Sequence, residues 1–501
     1  MDAVSWMPLW ILMSSVVPGV MIFFLSDHHQ RLRTTLNMLG VTLKLILIGV
    51  MIAGLLKGRD YLFTLTLLPG MDLILHADTM SVLITALSGI LWFVTTVYAI
   101  AYLEDSPQPR SRFFGFFSFC VSATIGIALS GNLITFLIFY ELLTLSTYPL
   151  VVHRGTPDSM RAGKIYLAYT LTGGAFLLIG VAWLRSIAGP LTFVQGGILD
   201  AWPVAYHGAF KAIFFLLIAG LGVKAAIVPL HGWLPSAMVA PAPVSALLHA
   251  VAVVKAGAFG IVRVVYDVFG IEFASQLGLL TPLAAVAAVT IIYGSVRALS
   301  QDGLKKRLAF STVSQVSYIA LGAGILGPIA TIGGIVHLVH QGLMKITLFF
   351  AAGNYAETLG IHKVSEMNGV GQRMPATTLA FTIAALGMIG IPPIAGFVSK
   401  WYLGLGAIDA GMAGWVIPIL IISSLLNAAY FLPVLYRAWF CRPAPAWPAE
   451  HIPAARYETA GALLWPPVVT ATLALVAGLF AAAPYSPLEW ADLIAQREYQ
   501  L

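Results

Sequence analysis

Apolar segments recur along the whole chain and are separated by short polar loops. A helix needs about 20 apolar residues to cross a bilayer, so the pattern predicts fourteen crossings, two of which continue beyond an interruption. They lie near residues 5–25, 36–56, 79–103, 113–130, 132–152, 162–184, 208–229 with a continuation to 240, 244–266, 273–297, 305–326, 328–354, 375–398 with a continuation, 412–440 and 460–483.

Two features near the N-terminus complete the predicted topology. No basic region precedes the first apolar segment, so we expect it to stay as a helix rather than be cleaved as a signal peptide. Residues 60–78 alternate apolar and polar positions around a Leu-Pro-Gly sequence at 68–70, a pattern typical of a β-hairpin. We place this hairpin outside the membrane.

The composition agrees with an all-α polytopic membrane protein. The chain is 59% hydrophobic and 10% charged, whereas soluble domains carry about 25% charged residues. Cys120 and Cys441 are far apart and form no CxxC or Cys/His cluster, so neither a disulfide framework nor an iron–sulfur site is expected. Because no Gly-rich nucleotide loop occurs either, the sequence predicts no cofactor, no metal site and no catalytic residue.

The basic residues favour one side of the predicted membrane. If the N-terminus is outside, sixteen lysines and arginines fall in loops on one side and six on the other. The positive-inside rule assigns the richer side to the cytoplasm and both termini to the outside. The sixteen are Arg31, Arg33, Arg110, Arg112, Arg154, Arg161, Lys164, Arg297, Lys305, Lys306, Arg307, Lys363, Arg373, Arg437, Arg442 and Arg456, and the six are Lys57, Arg59, Arg185, Lys211, Arg263 and Arg497. This distribution explains the net charge of +6 and argues against a nucleic-acid partner.

Six ionisable residues are predicted to lie inside crossings. A lysine at the bilayer centre costs about 2.5–3.5 kcal/mol, so such groups mark functional sites by default. Glu141 is the acid that we place well inside a crossing; its alternative role is an ion pair that packs two helices. The lysines are Lys44, Lys224, Lys255, Lys345 and Lys400. For Lys44 we expect a partner contact or an interfacial position and no role in proton transfer.

Two crossings are interrupted by prolines and each carries a lysine. In residues 220–263, Lys224 precedes Pro229, and the same stretch holds His231 and His249. Proline removes a backbone donor, and such breaks are tolerated where a helix lines a cavity, so we expect a broken helix there with its lysine turned inward. The alternative for Lys224 is an ammonium group that reaches the membrane surface. The second broken crossing holds Pro392 and Pro393 before Lys400, and paired breaks are typical of transporters with internal repeats.

His337 and His340 precede Lys345 in a third polar segment. Two histidines at i and i+3 share a helix face, which is compatible with a metal site or with a row of polar groups that relays protons. No carboxylate or cysteine lies nearby in the sequence, so we favour the relay. The basic start of residues 300–319 is interpreted mainly as an anchor at the cytoplasmic surface.

Four segments together resemble a known family. They read VKAAIVPLHGWLPSAMVAPAPVSALLHAVAVVKAG, DGLKKRLAFSTVSQVSYI, HLVHQGLMKITLFFAAG and GIPPIAGFVSK. In this order they resemble the antiporter-like subunits shared by respiratory complex I, membrane-bound hydrogenases and Mrp-type cation/proton antiporters. The resemblance spans about residues 75–440. Among the members, the D-type component of the Mrp antiporters is most similar in length and in its charged residues.

The resemblance implies a fold of fourteen helices with two inverted five-helix repeats, each containing a broken helix. The corresponding division is 1–103 for three helices and the hairpin, 104–270 and 271–440 for the two repeats, and 441–501 for helix 14 and the tail. It also implies a proton-translocating row across the membrane midplane. By matching motifs, this row consists of Glu141, Lys224, Lys255, His337, Lys345 and Lys400, with His231, His249 and His340 as auxiliary polar groups.

Three functions remain open at this point. The first is a proton-translocating subunit of a Na⁺/H⁺ antiporter in the inner or plasma membrane, with other membrane subunits, protons, Na⁺ and the lipid bilayer as partners. The second is a subunit of a redox complex of the complex I or hydrogenase type. The third is a structural scaffold with an inactive channel, in which charge-removing substitutions disturb only assembly.

Overall fold

In the computed structural model, residues 5–104, 106–199, 202–443, 446–450 and 458–500 are described. The first half contains α1 (Met7–Phe23), α2 (Gln30–Leu55), β1 (Leu62–Leu68), β2 (Met71–His76), α3 (Thr79–Tyr102), α4 (Arg110–Ala128), α5 (Leu133–Val151), α6 (Pro157–Ala188), α7 (His207–Lys224), α8 (Trp233–Ser236), α9 (Ala242–Ala250) and α10 (Val253–Arg263). The second half contains α11 (Ile271–Gln276), α12 (Leu280–Leu299), α13 (Leu304–Gly324), α14 (Pro328–Leu359), α15 (Val370–Arg373), α16 (Pro375–Ile389), α17 (Ala395–Asp409), α18 (Ala413–Phe440), α19 (Gly461–Leu479) and α20 (Pro487–Tyr499).

The predicted all-α polytopic fold is confirmed. Within the described residues, eleven helical segments are long and apolar enough to cross a membrane. Three further crossings complete the predicted fourteen: the short apolar helix α1, the basic-ended α13, and α16 with its continuation α17.

Both predicted breaks are present. Helix α7 ends at Lys224, and the chain is irregular until α8 begins at Trp233. Helix α16 ends at Ile389, and α17 begins at Ala395. Each broken helix is the fourth crossing of its predicted five-helix group, since α4, α5 and α6 precede α7 as α12, α13 and α14 precede α16.

The eighth crossing differs from the unbroken helix predicted over 244–266. It is interrupted between α9 and α10, where Val251 and Ala252 leave the helical conformation. It then continues as a π-helical turn over Val264–Phe269. The break contains neither glycine nor proline, so the local sequence carries no signal for it.

Helix α14 forms the centre of the bundle. The most apolar stretch of this helix is completely buried. The helix packs against α9, α13, α16, α17, α19 and α20. Outer helices such as α2 bury only 33% of the residues in their most apolar stretch, and the other residues of that stretch face outward. The polar residues in the middle of α14 are therefore enclosed by protein; they are His337, His340, Gln341 and Lys345.

The hairpin marks one end of the bundle, which we call the hairpin face. Strands β1 and β2 pair antiparallel, as the alternating pattern predicts, and Leu75 bridges to Ser130 beyond α4. Helix α20 lies at the same face, where Trp490 Nε1 donates to the Thr79 carbonyl at 2.7 Å.

The structure corrects one of the assignments made from charge placement. Arg263 was assigned to a loop, but its side chain is buried at the end of α10 and paired with Asp267. Asp267 is also buried, near the end of the eighth crossing. Arg456, counted among the cytoplasmic residues, lies outside the described residues.

We expect Gly257→Val to destabilise the protein by about 1–3 kcal/mol, the usual cost of overpacking. A Cβ at Gly257 would lie 2.6 Å from the Leu221 carbonyl oxygen and 2.8 Å from the Lys224 carbonyl carbon, so α10 would have to move away from α7. Thermal unfolding in detergent measures the effect. Gly208→Val is the control, because a Cβ there meets nothing within 4 Å; equal melting of the two variants would contradict the prediction.

Candidate functional site

Lys224 and Glu141 lie on neighbouring helices but form no direct ion pair. Lys224 is completely buried, donates from Nζ to the Tyr140 carbonyl oxygen, and lies 3.4 Å from the centroid of the Tyr140 ring. Glu141 follows Tyr140 on α5 and interacts electrostatically with Lys224. Its Oε1 atom is buried and has no hydrogen-bond partner. The carboxylate is therefore near the ammonium group without holding it.

A close helix contact fixes the position of Glu141. Gly174 of α6 faces it so closely that a Cβ there would lie 2.8 Å from the Glu141 carboxyl carbon. The glycine leaves room for the carboxylate between α5 and α6. The backbone of α6 therefore limits where this carboxylate can move.

Lys255 and His337 meet along the central helix. Lys255 Nζ donates to the Leu338 carbonyl oxygen at 2.6 Å, and the adjacent His337 is within electrostatic reach of both Lys255 and Lys400. His337 Nδ1 shares a hydrogen bond of 2.8 Å with Ser399 Oγ. His337 thus lies between two of the buried lysines.

Lys400 is bound at the end of a broken helix. Its Nζ donates to the carbonyl oxygens of Met388 at 3.0 Å and Ile389 at 2.8 Å, which are the last two residues of α16. The final carbonyls of a helix have no partner within the helix and carry partial negative charge. The proline break therefore creates the acceptors that hold the ammonium group.

A chain of hydrogen bonds joins Lys345 to Lys400. Lys345 Nζ donates to Ser311 Oγ at 2.6 Å, and Ser311 Oγ shares a bond of 2.7 Å with Tyr430 Oη. Tyr430 donates to Asn427 Oδ1, and Asn427 Nδ2 donates at 3.1 Å to the Met388 carbonyl that also accepts from Lys400. The hydroxyl groups of Ser311 and Tyr430 both donate and accept, so they can pass on a proton. The Asn427 amide and the Met388 carbonyl instead fix the geometry of the end of the chain next to Lys400.

The sequence did not identify Ser311, Asn427 or Tyr430 as members of the site. The local signal was weak: Ser311 belongs to the polar run in residues 300–319, which was interpreted as an anchor, and the other two are isolated polar residues in α18. All three are buried.

The auxiliary histidines have few polar partners. His249 is buried with both ring nitrogens unpartnered and packs on Phe349 with ring centroids 4.4 Å apart. His340 is also buried and unpartnered at both nitrogens. His231, partly buried, packs edge-to-face on Tyr293. Buried nitrogens of this kind normally bind ordered water.

The structure contradicts both positions expected for Lys44, a partner contact and an interfacial position, whereas its lack of a role in proton transfer stays a prediction. Its side chain is fully buried rather than at an interface, donates to Ser15 Oγ at 2.5 Å and lies 4.8 Å from the Trp92 ring centroid. Ser15 Oγ in turn shares a bond of 2.7 Å with Ser122 Oγ. Lys44 thus ties α2 to α1, α3 and α4 inside the bundle.

The described part of the chain contains no group of three or more His, Cys, Asp or Glu side chains that could hold a metal ion. His337 and His340 therefore lack the further ligands that a metal site on α14 would require.

Comparison with known proteins identifies the family. Residues 130–427 match the NADH:quinone oxidoreductase/Mrp antiporter transmembrane family. The chain belongs to this family. It is 36% identical to the N component of NADH-quinone oxidoreductase from Desulforudis audaxviator (strain MP104C), over 77% of each chain. It is 26% identical to the D component of the Na⁺/H⁺ antiporter from Bacillus subtilis (strain 168), over 93% of this chain and 92% of the relative.

A solved structure shows the same fold. A chain in the structure of the Mrp complex from Dietzia sp. DQ12-45-1b superimposes with a TM-score of 0.86 at 23% identity, covering 99% of this chain and 97% of that one. The fold class inferred from the family's motifs is therefore correct along nearly the whole chain. The roles of the individual charged residues and the division into two repeats stay predictions.

We expect Ser311→Ala to destabilise the protein by about 1–3 kcal/mol, because a buried donor or acceptor is left unsatisfied. The substitution removes the 2.6 Å acceptor of Lys345 and the partner of Tyr430 Oη. Thermal unfolding and proton transport are the two measurements. Ser300→Ala is the matched control, since that hydroxyl is exposed and bonds only locally. Unchanged stability and transport in Ser311→Ala would show that the hydrogen-bond chain has no role.

Proposed function

We propose that this chain is the proton-translocating subunit of a multi-subunit membrane complex, of the type of the D component in Mrp Na⁺/H⁺ antiporters. The observation that supports this function is the set of four buried lysines within the family-matched residues 130–427, each at most 9% exposed. Carbonyl or hydroxyl oxygens accept from all four ammonium groups. Within the described residues, no carboxylate lies within ion-pair distance of any of them. The lysines are Lys224, Lys255, Lys345 and Lys400.

The neutral partners matter for proton transfer. Burial disfavours a charged amine, and an adjacent carboxylate restores the charge. Lysines that lack such a partner can lose and regain a proton without breaking an ion pair. Glu141 is the acid near the row, so we assign it the role of gating Lys224: movement of its carboxylate toward or away from the amine favours binding or release of a proton.

The proposed route follows the order of the charged residues in the row. Protons reach Lys224 and Lys255, pass His337 and Lys345, and leave by Lys400. The carbonyls of α16 and the hydroxyls of α13 and α18 hold the second half of this route in place. We assign both termini to the extracytoplasmic side of a plasma or inner membrane, on the basis of the loop charges.

Lys224→Ala and Glu141→Gln should each abolish cation-linked proton exchange while the complex still assembles. The first removes the amine that accepts the proton, and the second removes the charge that controls it. Proton movement in vesicles carrying the complex is measured after an imposed sodium gradient. Lys211→Ala is the matched control, because Lys211 lies on the same α7 but is exposed. Normal exchange in both test variants would refute the assignment, and failed assembly with no other defect would favour a scaffold.

A redox complex is the second candidate function. The 36% identity to the N component of an NADH-quinone oxidoreductase exceeds the 26% identity to the D component of an antiporter. Purification of the native complex separates the two. Sodium-dependent proton exchange without redox partners supports the antiporter, whereas iron–sulfur or flavin subunits that copurify, with quinone-linked proton transport, support the redox complex.

A further inference from the structure

A second group of buried charges lies at the hairpin face, away from the lysine row. Arg263 is 1% exposed. Its guanidinium donates to Asp78 at 2.7 and 2.9 Å, to Asp267 at 2.7 Å and to Ser81 Oγ at 2.8 Å. Asp78 caps α3 by accepting from Ser81 N. One arginine thus joins the start of the third crossing to the end of the eighth.

The amphipathic helix α20 adds two more charges to this group. Arg497 Nη1 lies 3.5 Å from Asp78 Oδ2. Glu498 is only 6% exposed, and neither of its carboxyl oxygens has a hydrogen-bond partner. The buried Oδ1 atom of Asp267 also lacks one. These unpartnered oxygens belong to the same charge cluster, since Asp267, Arg497, Arg263 and Asp78 all act electrostatically on Glu498.

The charges of this cluster do not balance when every group is ionised. Among the described residues, three carboxylates (Asp78, Asp267 and Glu498) face two guanidinium groups (Arg263 and Arg497). Both arginines stay charged, and Asp78 is ion-paired with both of them. A buried carboxylate without a cation or donor neutralises itself by binding a proton. The residue with no donor at either oxygen is Glu498.

The electrostatics of α20, which lies outside the membrane-spanning segments, agree with this geometry. Burial and the neighbouring Asp267 carboxylate raise the pKa of Glu498 to about 8, although Arg497 and Arg263 oppose the shift. Asp78 behaves in the opposite way: burial alone would raise its pKa, but Arg263 and Arg497 lower it well below the usual range. Asp78 is thus held in its ionised form by the two arginines, whereas the raised pKa of Glu498, about 8, favours the protonated acid at neutral pH.

We propose that the carboxyl group of Glu498, next to Asp267, is a proton-binding site at the hairpin face that exchanges protons with the transport route. The exchange with the route rests on the proposed function; the binding site itself does not. A polar connection runs from α20 to the central helix: Tyr499 Oη and Thr331 Oγ1 are 3.1 Å apart, and Thr331 Oγ1 and Tyr266 Oη are 2.8 Å apart. Thr331 lies on α14, six residues before His337.

A proton explains this site better than a metal ion. The carboxylates of the described residues do not form a group with the spacing of metal ligands. Arg263 occupies the space between Asp78 and Asp267 with two direct contacts. The charge that remains to be compensated is therefore a single one, at Glu498.

Infrared difference spectroscopy of the complex between about pH 6 and about pH 10 tests the site, since these values bracket a pKa of about 8. The wild-type spectrum should contain the carbonyl stretch of a protonated carboxylic acid that disappears at high pH with a midpoint near 8. E498Q should lose this signal. Asp492→Asn, at a partly exposed position of the same helix where the side chain bonds to Gln496, should keep it. A titrating band that persists unchanged in E498Q would overturn the proposal.

A second variant tests the cluster without removing Glu498. Arg497→Gln removes a cation that favours the ionised carboxylate, so the midpoint should rise; an unchanged or lower midpoint would contradict the site. Repeating the titration in sodium chloride and in choline chloride tests whether the site also binds sodium. A midpoint that is lower in sodium chloride than in choline chloride would mean that Na⁺ competes with the proton for the site.

The link to transport has its own readout. E498Q should remove the part of the pH dependence of proton exchange that has its midpoint near 8, and Asp492→Asn should retain it; an identical pH profile in E498Q would refute the link. Lys224→Ala should leave the infrared signal of Glu498 intact even when it abolishes exchange. Failure of the Glu498 site and failure of the proposed function are therefore distinguishable.

The pH dependence of α20 provides an independent check. Because the folded protein binds a proton at Glu498 more tightly than the unfolded chain does, docking of α20 is strongest below the usual glutamate pKa and weakens as the pH rises through about 8. Hydrogen exchange of the α20 amides, corrected for the intrinsic rate, should therefore accelerate at alkaline pH. E498Q should remove this acceleration, and a wild-type protein without it would count against the site.

Discussion

The structure depends on how an apolar bundle of helices provides hydrogen-bond acceptors for the lysine ammonium groups inside it. Each lysine of the row finds oxygen acceptors that the helices themselves provide. Lys400 reaches back across its break to the last carbonyls of α16, where the partial charge is negative. Lys224 is the last residue of α7, and its ammonium group donates to the Tyr140 carbonyl of α5. Both ammonium groups are thus held inside the bundle by carbonyl oxygens rather than by a carboxylate.

This arrangement resolves an asymmetry in the sequence. Lys224 precedes its proline break, whereas Lys400 follows its own, so the two segments do not look equivalent when they are aligned by their prolines. In three dimensions Lys400 folds back across the break. The Lys400 ammonium group therefore lies at the end of α16 although its residue belongs to α17, whereas Lys224 is itself the last residue of α7. Both lysines thus lie beside the C-terminal end of the helix that precedes a break, and the division into two repeats stays a prediction.

The sequence predicted the crossings, both breaks and the buried lysines because each has a strong local signal: a long apolar run, a proline or an isolated charge. It failed where the decisive partner is remote. Arg263 resembles a loop residue at the end of an apolar segment, yet Asp78, 185 residues away, pairs with it inside the protein. Ser311 and Tyr430 are likewise 119 residues apart. Hydropathy describes the polarity of each position, but it does not show which distant side chain pairs with a buried polar group.

The protein accommodates its two kinds of buried cation in different ways. Arg263 cannot lose its proton under ordinary conditions, and two carboxylates at 2.7 Å keep it in place. The lysines receive neutral oxygens instead, with Glu141 nearby but not in contact. A carboxylate beside every lysine would fix each charge and stop proton transfer, whereas neutral partners beside Arg263 would leave a permanent charge uncompensated. The choice of partner therefore distinguishes Arg263, which joins the third crossing to the eighth, from the four lysines of the row, which can change charge.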